Sequence, residues 1–423
     1  MTNFFLSLST SMVNRLTEMK KAVMYGGGNI GRGFIGLLLS DSGYHVDFID
    51  VAPIVVNTLQ ADKCYPVRYV DNEGYQDILV DNVDAIDGNN SVAVAEAIAQ
   101  ADIMATAVGA RILKFIVPNI VAGIRKRWEN GRGALNIMIC ENLNDANKIL
   151  EGLIKEHLSP EECERFDDTI GLVEASIGRM VPVQTDEMKD GNPLRVCVEK
   201  YAYLPVDKAA FKGEIPMLKG LVPYEPFDYF IKRKLFIHNM GHAVTAYLGG
   251  LFGYDYICDA ISDPEIRLIT QNAMLESAVA ISKKYGQSLS GLMDHVVDLL
   301  SRFRNAALKD TCARVGGDPS RKLGPDDRLI GASRLIIDQS GVPSYVALAA
   351  ACAIKRLIDE SENAEHNVER ADQILSEISK LESQDPLKSL ILEYYSAIGD
   401  GHTLQQLRSM ADNKKASSIG KPV

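Results

Sequence analysis

The chain has 423 residues, a formal net charge of -11, and a composition of 46% hydrophobic and 24% charged residues. That length exceeds one ordinary core and implies two domains, each of soluble globular character. The acidic balance excludes a general nucleic-acid or anionic-membrane binder, although a local basic pocket could hold a phosphate. Seven scattered cysteines (Cys64, Cys140, Cys163, Cys197, Cys258, Cys312, Cys352) include no Cys-x-x-Cys pair and read as reduced thiols of a cytoplasmic protein.

Met1–Glu18 carries an apolar patch at Phe4-Phe5-Leu6, without the basic start or cleavage site of a signal peptide. It reads as a disordered extension (1–18), and Met19 is a second candidate start because Lys20 leads straight into a strand. No apolar run reaches the roughly 20 residues of a membrane span. Lys21–Tyr25 is predicted as a buried strand, Gly26–Gly31 as a turn into a helix ending near Ser42, and Tyr44–Ile49 as a second strand closed by Asp50. A helix at Val92–Gln100, a strand at Ile103–Val108, a helix at Leu113–Arg127 and a strand at Ala134–Cys140 follow. Arg195–Tyr203 reads as a late strand at the sheet's edge. This βαβ rhythm predicts an α/β, Rossmann-type doubly wound domain over 19–210. From about Asp228 the texture becomes helical: Phe230–Leu248, Ile266–Tyr285, Ser290–Phe303, Pro343–Asp359 and Val368–Leu381. A predominantly α-helical C-terminal domain is therefore predicted over 211–412, with a short polar tail at 413–423.

Gly26-x-Gly28-x-x-Gly31 is a weak signal alone. Here a strand precedes it, a helix follows, and Asp50 stands 19 positions past the last glycine (50 − 31). Glycine permits the tight turn and the close approach of backbone to a pyrophosphate at the helix N-terminus. Gly26, Gly28, Asn29, Ile30 and Gly31 are the predicted phosphate turn. Asp50 should accept hydrogen bonds from ribose hydroxyls and repel a 2′-phosphate, which favours NAD over NADP. The alternatives are an ordinary flexible turn and a surface acid. Thr106-Ala-Val-Gly109 follows the strand at Ile103, so Thr106 and Val108 are expected along the cofactor.

Lys-Leu-Phe-Ile-His-Asn-Met-Gly-His places Lys234, Asn239 and His242 in a K-x4-N-x2-H spacing on a predicted helix. At about 100° per residue, Asn239 lies roughly 140° and His242 roughly 80° around from Lys234. A possible base, a neutral amide and a tautomerising ring on one side suit proton removal from a hydroxyl. With a dinucleotide fingerprint in the same chain, the expected chemistry is alcohol–ketone interconversion. A free lysine titrates near 10.4, so burial and cationic neighbours would have to lower it for work at neutral pH. The rival for Lys234 is a solvated helix lysine. His238 and His242, four apart, could bind zinc, but Asn239 stands where a His-Glu-x-x-His motif has glutamate. His238 is more simply a packed residue, and no metal is required.

These motifs resemble the polyol-specific long-chain dehydrogenase/reductase family from Lys20 to about residue 395. The resemblance rests on Gly-Gly-Asn-Ile-Gly-Arg-Gly-Phe-Ile-Gly (27–36), Ala-Val-Gly (107–109), Cys-Glu-Asn (140–142) and Arg-Met-Val-Pro (179–182). It continues through Arg-Lys-Leu-Phe (233–236), Gly-His-Ala-Val-Thr-Ala-Tyr-Leu-Gly (241–249) and Arg-Lys-Leu (321–323). It implies that Lys234 is the general base, that Asn142 and Asn239 hydrogen-bond the reacting oxygen, and that His242 orients a substrate hydroxyl. Arg179, Arg314 and Lys322 would contact substrate, and Arg321 would handle a phosphate, for which an arginine fork is suited. Alternatively, Arg321 and Arg328 only pair with Asp326 and Asp327 on a solvated loop.

The resemblance implies an NAD-dependent, metal-independent polyol-phosphate dehydrogenase interconverting mannitol 1-phosphate and fructose 6-phosphate, as a monomer or small homo-oligomer. Hexuronate reduction (tagaturonate or fructuronate) and free mannitol oxidation are alternatives within the family; a catalytically silent NAD sensor is one from another class. One departure concerns specificity. The family usually has aspartate before the arginine of Arg-x-Val-Pro, and this chain has Gly178. An acceptor is lost there and space gained, with Glu174 or a water as the expected replacement.

Overall fold

The computed structural model describes residues 19–143, 145–361 and 365–419. The extension expected over 1–18 lies outside them. The chain forms two compact units, Met1–Phe227 and Asp228–Val423.

In the first unit, β1 (Lys21–Tyr25), β2 (His45–Asp50), β3 (Tyr65–Asp71), β4 (Gly74–Val80), β5 (Val83–Asp87), β6 (Ile103–Thr106), β7 (Leu135–Ile139) and β8 (Ile170–Glu174) follow in order. Six of them make a parallel sheet in the order β5-β2-β1-β6-β7-β8. Successive side chains of a strand point to opposite faces, and the burial obeys this. Ala22, Met24, Ile103 and Ala105 enter one core with Phe34, Leu39 and Phe48. Val23, Tyr25, Met104 and Ile137 enter the other, against Ile98, Ile120 and Trp128 of the helices Ser91–Gln100 and Leu113–Glu129. Burial of each large apolar side chain is worth about 1.5–3 kcal/mol, so both faces must be covered.

The remaining strands form two small sheets. β9 (Val196–Val198) pairs with β3 in a separate sheet of order β4-β3-β9. It is shorter than the predicted Arg195–Tyr203 and is not an edge of the main sheet. β10 (Leu204–Asp207) and β11 (Leu221–Tyr224) pair in parallel. That pair straddles the predicted boundary at 210/211 and keeps 211–227 with the first unit.

The second unit is built of helices. Pro264–Tyr285 shows the local reasons: Asp263 caps its start, proline occupies the first turn, and Gly286 ends it with φ +64. Ser344–Asp359 is buried on almost every side over 344–354, as befits a central helix. Its first amides, at Ser344, Tyr345 and Val346, donate to the buried carboxyl of Glu276. The last helix runs Leu404–Ile419, through most of what the sequence predicts as a tail.

Candidate active site

In the first unit, β1 and β6 are neighbours at the point where the strand order reverses, the crevice in which doubly wound sheets bind ligands. Gly26 follows β1 with φ +103, and a Cβ there would lie 2.5 Å from the carbonyl oxygen of Ala107; only glycine can cross so close. A Cβ on Gly31 would lie 1.9 Å from the carbonyl oxygen of Gly26. One on Gly28 would meet no described atom within 4 Å, so the space over the turn is open. Gly31–Gly36 is a π-helical turn that continues into the α-helix Leu37–Asp41.

Asp50 accepts hydrogen bonds from the N–H of Gly27 at 2.7 Å and of Ala52 at 2.9 Å. The acid expected at the ribose therefore also holds the glycine turn. Arg32, to which the sequence assigns nothing, grips the same glycine by donating to the carbonyl of Gly27, and reaches Leu194 O at 3.2 Å. Burial pulls the Arg32 guanidinium below its usual range, against the opposing influence of Tyr65 and Asp50.

Thr106 is fully buried at the end of β6, and its hydroxyl has no hydrogen-bond partner among the described residues. Buried hydroxyls are normally satisfied, so this one fits a polar atom of a ligand. Next to it, the N–H groups of Val108 and Gly109 donate to the two carboxyl oxygens of Glu141 at 2.9 and 2.8 Å. Asn142 follows, exposed in the bend after β7. The open turn, the acid at the end of β2 and the orphan hydroxyl fit a dinucleotide held by Gly26–Gly31, Asp50, Thr106 and Val108.

Arg179, to which the resemblance assigns a substrate contact, is held within the first unit. It is buried, donates to Gly33 O at 2.8 Å and to Tyr201 O, and lies 4.5 Å from the ring centroid of Phe34. These contacts anchor the guanidinium within the first unit. Nor is there added space at Gly178, where a Cβ would come within 3.1 Å of Tyr201 Cε1: the tyrosine ring fills it. Glu174 accepts backbone hydrogen bonds from Asn147 and Ala146 at the start of the helix Ala146–Lys155, and burial raises its pKa.

In the second unit, Lys234–Asn239 is a second π-helical turn, between the α-helices Asp228–Arg233 and Met240–Leu251. An i→i+5 turn returns residue i+5 to the side of residue i. Asn239 therefore stands along the helix from Lys234 instead of about 140° around it, the α-helical expectation. His242 lies one α-turn further. Its Nε2 is 3.3 Å from Oδ2 of Asp310, and its ring stacks on Phe303 at 4.8 Å and 12°. Neither partner has a signal in the sequence, because both arrive from other elements.

Asp310 also takes the Arg314 fork, with Nε to Oδ1 at 2.7 Å and the second nitrogen to Oδ2 at 2.6 Å. Burial pushes the Asp310 carboxyl up, but His242 and Arg314 together outweigh it and hold it below the ordinary range. His238 is packed near Phe303, as expected, and its pKa is driven well below the usual value, first by burial and then by Arg302, His242, His295 and Lys234. Burial, then Arg233 and Arg302, push His295 down to about 3. Two arginines, Arg233 and Arg302, thus stand near these histidines beside the Lys234 turn.

The other predicted cations are engaged within their own loop. Arg321 pairs with Asp318 at 2.7 Å and Asp327 at 3.0 Å, and Arg328 pairs with Asp327 at 2.8 Å. Lys322 is buried and donates to Val315 O at 2.5 Å and to Gly317 O. Burial, then Arg328 and Arg321, lower its pKa to about 8.

The strand order and the turn after β1 define the class: a two-unit protein whose first unit is a Rossmann-type dinucleotide-binding domain. Family models agree, one described as the mannitol dehydrogenase Rossmann domain matching residues 20–220 and one as the mannitol dehydrogenase C-terminal domain matching 227–407. The chain belongs to the mannitol dehydrogenase family. It is 34% identical over 382 residues to a mannitol-1-phosphate 5-dehydrogenase of Bacillus subtilis (strain 168), covering 88% of this chain and 98% of the relative. A protein of the same name from Oceanobacillus iheyensis is 38% identical over 351 residues, covering 82% and 89%. Among solved structures, D-sorbitol dehydrogenase in substrate-free form has a similar fold, with a TM-score of 0.78 at 16% identity over 92% of this chain and 95% of that one. Mannitol 2-dehydrogenase of Pseudomonas fluorescens, in a ternary complex with NAD and D-mannitol, has a TM-score of 0.72 at 14% identity over 96% of each chain.

Proposed function

We propose that this protein interconverts mannitol 1-phosphate and fructose 6-phosphate, using NAD and a lysine general acid/base. The observation that carries the mechanism is the π turn from Lys234 to Asn239, followed by a His242 ring clamped between Phe303 and Asp310. The names of the two bacterial relatives support the substrate.

When bound, NADH supplies the hydrogen and electron pair that reduce the ketone carbon. The ammonium of Lys234 gives its proton to the ketone oxygen, and in the reverse direction the amine takes the hydroxyl proton. The amide of Asn239 donates to that oxygen as charge develops on it, without itself ionising; for Asn142 the same role rests on the resemblance alone. His242, held by Asp310, orients a substrate hydroxyl. Arg314 and Arg321, half-exposed cations already paired with carboxylates, meet the phosphate by exchanging one anion for another, and Lys322 supports the loop beside them. Its seven free cysteines suit the reducing cytoplasm.

The test follows NADH absorbance at neutral pH with purified protein and fructose 6-phosphate, fructose or fructuronate. Rapid oxidation with the phosphate ester alone is expected. Turnover on fructuronate with silence on fructose 6-phosphate would replace the substrate by a hexuronate and keep the lysine mechanism.

A further inference from the structure

We propose that Glu141 is a positioning residue that clasps the cofactor loop after β6 to the strand end carrying Asn142. The inference rests on the functional reading above for what the two loops hold, while the clasp itself is a matter of geometry.

Strands β6 and β7 are hydrogen-bonded as far as the pair Thr106–Ile139, and the N–H of Cys140 donates to Thr106 O at 2.9 Å. Both strands end there. Glu141, only 7% exposed, continues the connection with its side chain, one oxygen taking the N–H of Val108 and the other that of Gly109. Two consecutive amides converging on one carboxyl form an anion-binding concavity. Here the protein's own carboxyl fills it. Gly109, with φ +92, supplies the left-handed backbone at this corner.

The clasp lies between two functional groups. Val108 is on the loop assigned to the cofactor, and Asn142, the next residue after Glu141, is the amide assigned to the reacting oxygen. Hydride transfer needs reacting atoms within about 3–3.5 Å, and a misplacement near 1 Å can lower a rate by about 100-fold. A carboxyl joining the two loops fixes their relative position to within a hydrogen bond. A group that served stability alone would not have to join these two loops.

The test compares Glu141→Gln and Glu141→Asp with the wild type. Glutamine keeps the size but faces one N–H with its own amide donor, so one of the two bonds is lost. Aspartate keeps both acceptors but is one methylene short. In Glu141→Gln, hydrogen–deuterium exchange should accelerate at least about tenfold at Val108 and Gly109, the factor for one lost hydrogen bond, and stay unchanged in the helix Leu113–Glu129. The kcat for fructose 6-phosphate should fall about 10- to 100-fold with a smaller change in the KM for the sugar phosphate. Glu141→Asp should recover part of both losses.

Unchanged exchange at 108–109 in Glu141→Gln overturns the clasp. Exchange rising across the whole first unit, with kcat falling only as folded protein is lost, makes Glu141 a stability residue and overturns positioning. Should the wild type fail to turn over fructose 6-phosphate, the functional reading fails separately. Exchange, with the Kd for NADH by fluorescence, then still decides the clasp: faster exchange at 108–109 with a weakened Kd upholds it, and an unchanged Kd overturns it.

Discussion

The molecule has two π-helical turns at its proposed working parts, and they arise in different ways. Gly31–Gly36 is shaped by what is missing: a Cβ at Gly31 would strike Gly26 O at 1.9 Å, and one at Gly36 would strike Phe48 Cζ at 2.4 Å. Lys234–Asn239 contains no glycine and is shaped by what is present, with Leu235, Phe236, Ile237 and His238 all buried around it. The first turn is a backbone device readable as a motif. The second has no glycine signature and lies with four consecutive side chains buried.

The comparison can be broken at each turn. Lys234→Ala should have the largest effect, lowering kcat by about 10²- to 10⁴-fold, the usual contribution of a general acid/base, while NADH binding measured by fluorescence titration stays within about twofold. Retained full activity would remove Lys234 from the mechanism. Gly31→Ala should do the reverse. Overpacking costs about 1–3 kcal/mol, so NADH affinity should weaken about 10- to 100-fold with the Lys234 turn intact.

A smaller loss is expected from Asp310→Asn, which removes the anionic partner of His242. A charge-assisted hydrogen bond is worth about 1.5–3 kcal/mol, so kcat/KM should fall roughly tenfold or somewhat more. A KM effect on a substrate lacking the oriented hydroxyl that equals the effect on fructose 6-phosphate would assign Asp310 to packing instead.

The smallest effect concerns the helical core of the second unit, where Glu276 caps the helix Ser344–Asp359. Burial raises the carboxyl of Glu276 from its ordinary 4.5 to about 8, against the opposing influence of Lys415 and the amides at 344–346. The folded state therefore holds an extra proton between those values. The stabilisation from this proton is fully present below about 4.5 and is lost as pH rises through about 8. Glu276→Gln should flatten that part of the Tm–pH curve, by a few degrees. An identical slope in both proteins would show that Glu276 does not titrate there.

Much of the first unit was legible because its signals are local. β1, β2, β6 and β7 are short, largely apolar or alternating segments bounded by turns, and the glycine spacing needs only its immediate neighbours. The hairpin β3–β4 was not legible, partly because Pro66 argues against a central strand. In the structure β9 pairs only with Val67–Tyr69, so no second partner needs the N–H that Pro66 lacks. The site followed the same rule. Lys234, Asn239 and His242 could be named from spacing, but not the turn that aligns Asn239 with Lys234, nor Phe303 and Asp310. The carbonyls of Gly33 and Tyr201 that receive Arg179 were not legible either, because a cation in a motif looks the same whatever acceptors the fold brings to it.

By itself the sequence determined the alternation of strand and helix, the glycine turn with its acid, and the residue types available for proton transfer. Each of these depends on periodicity or backbone freedom over a few residues. Tertiary structure alone decided where the first unit ends, which carbonyls and carboxylates the cations meet, the π geometry at Lys234, and the partner of His242. Those depend on groups far apart in the chain, whose desolvation and pairing exist only once the units have packed.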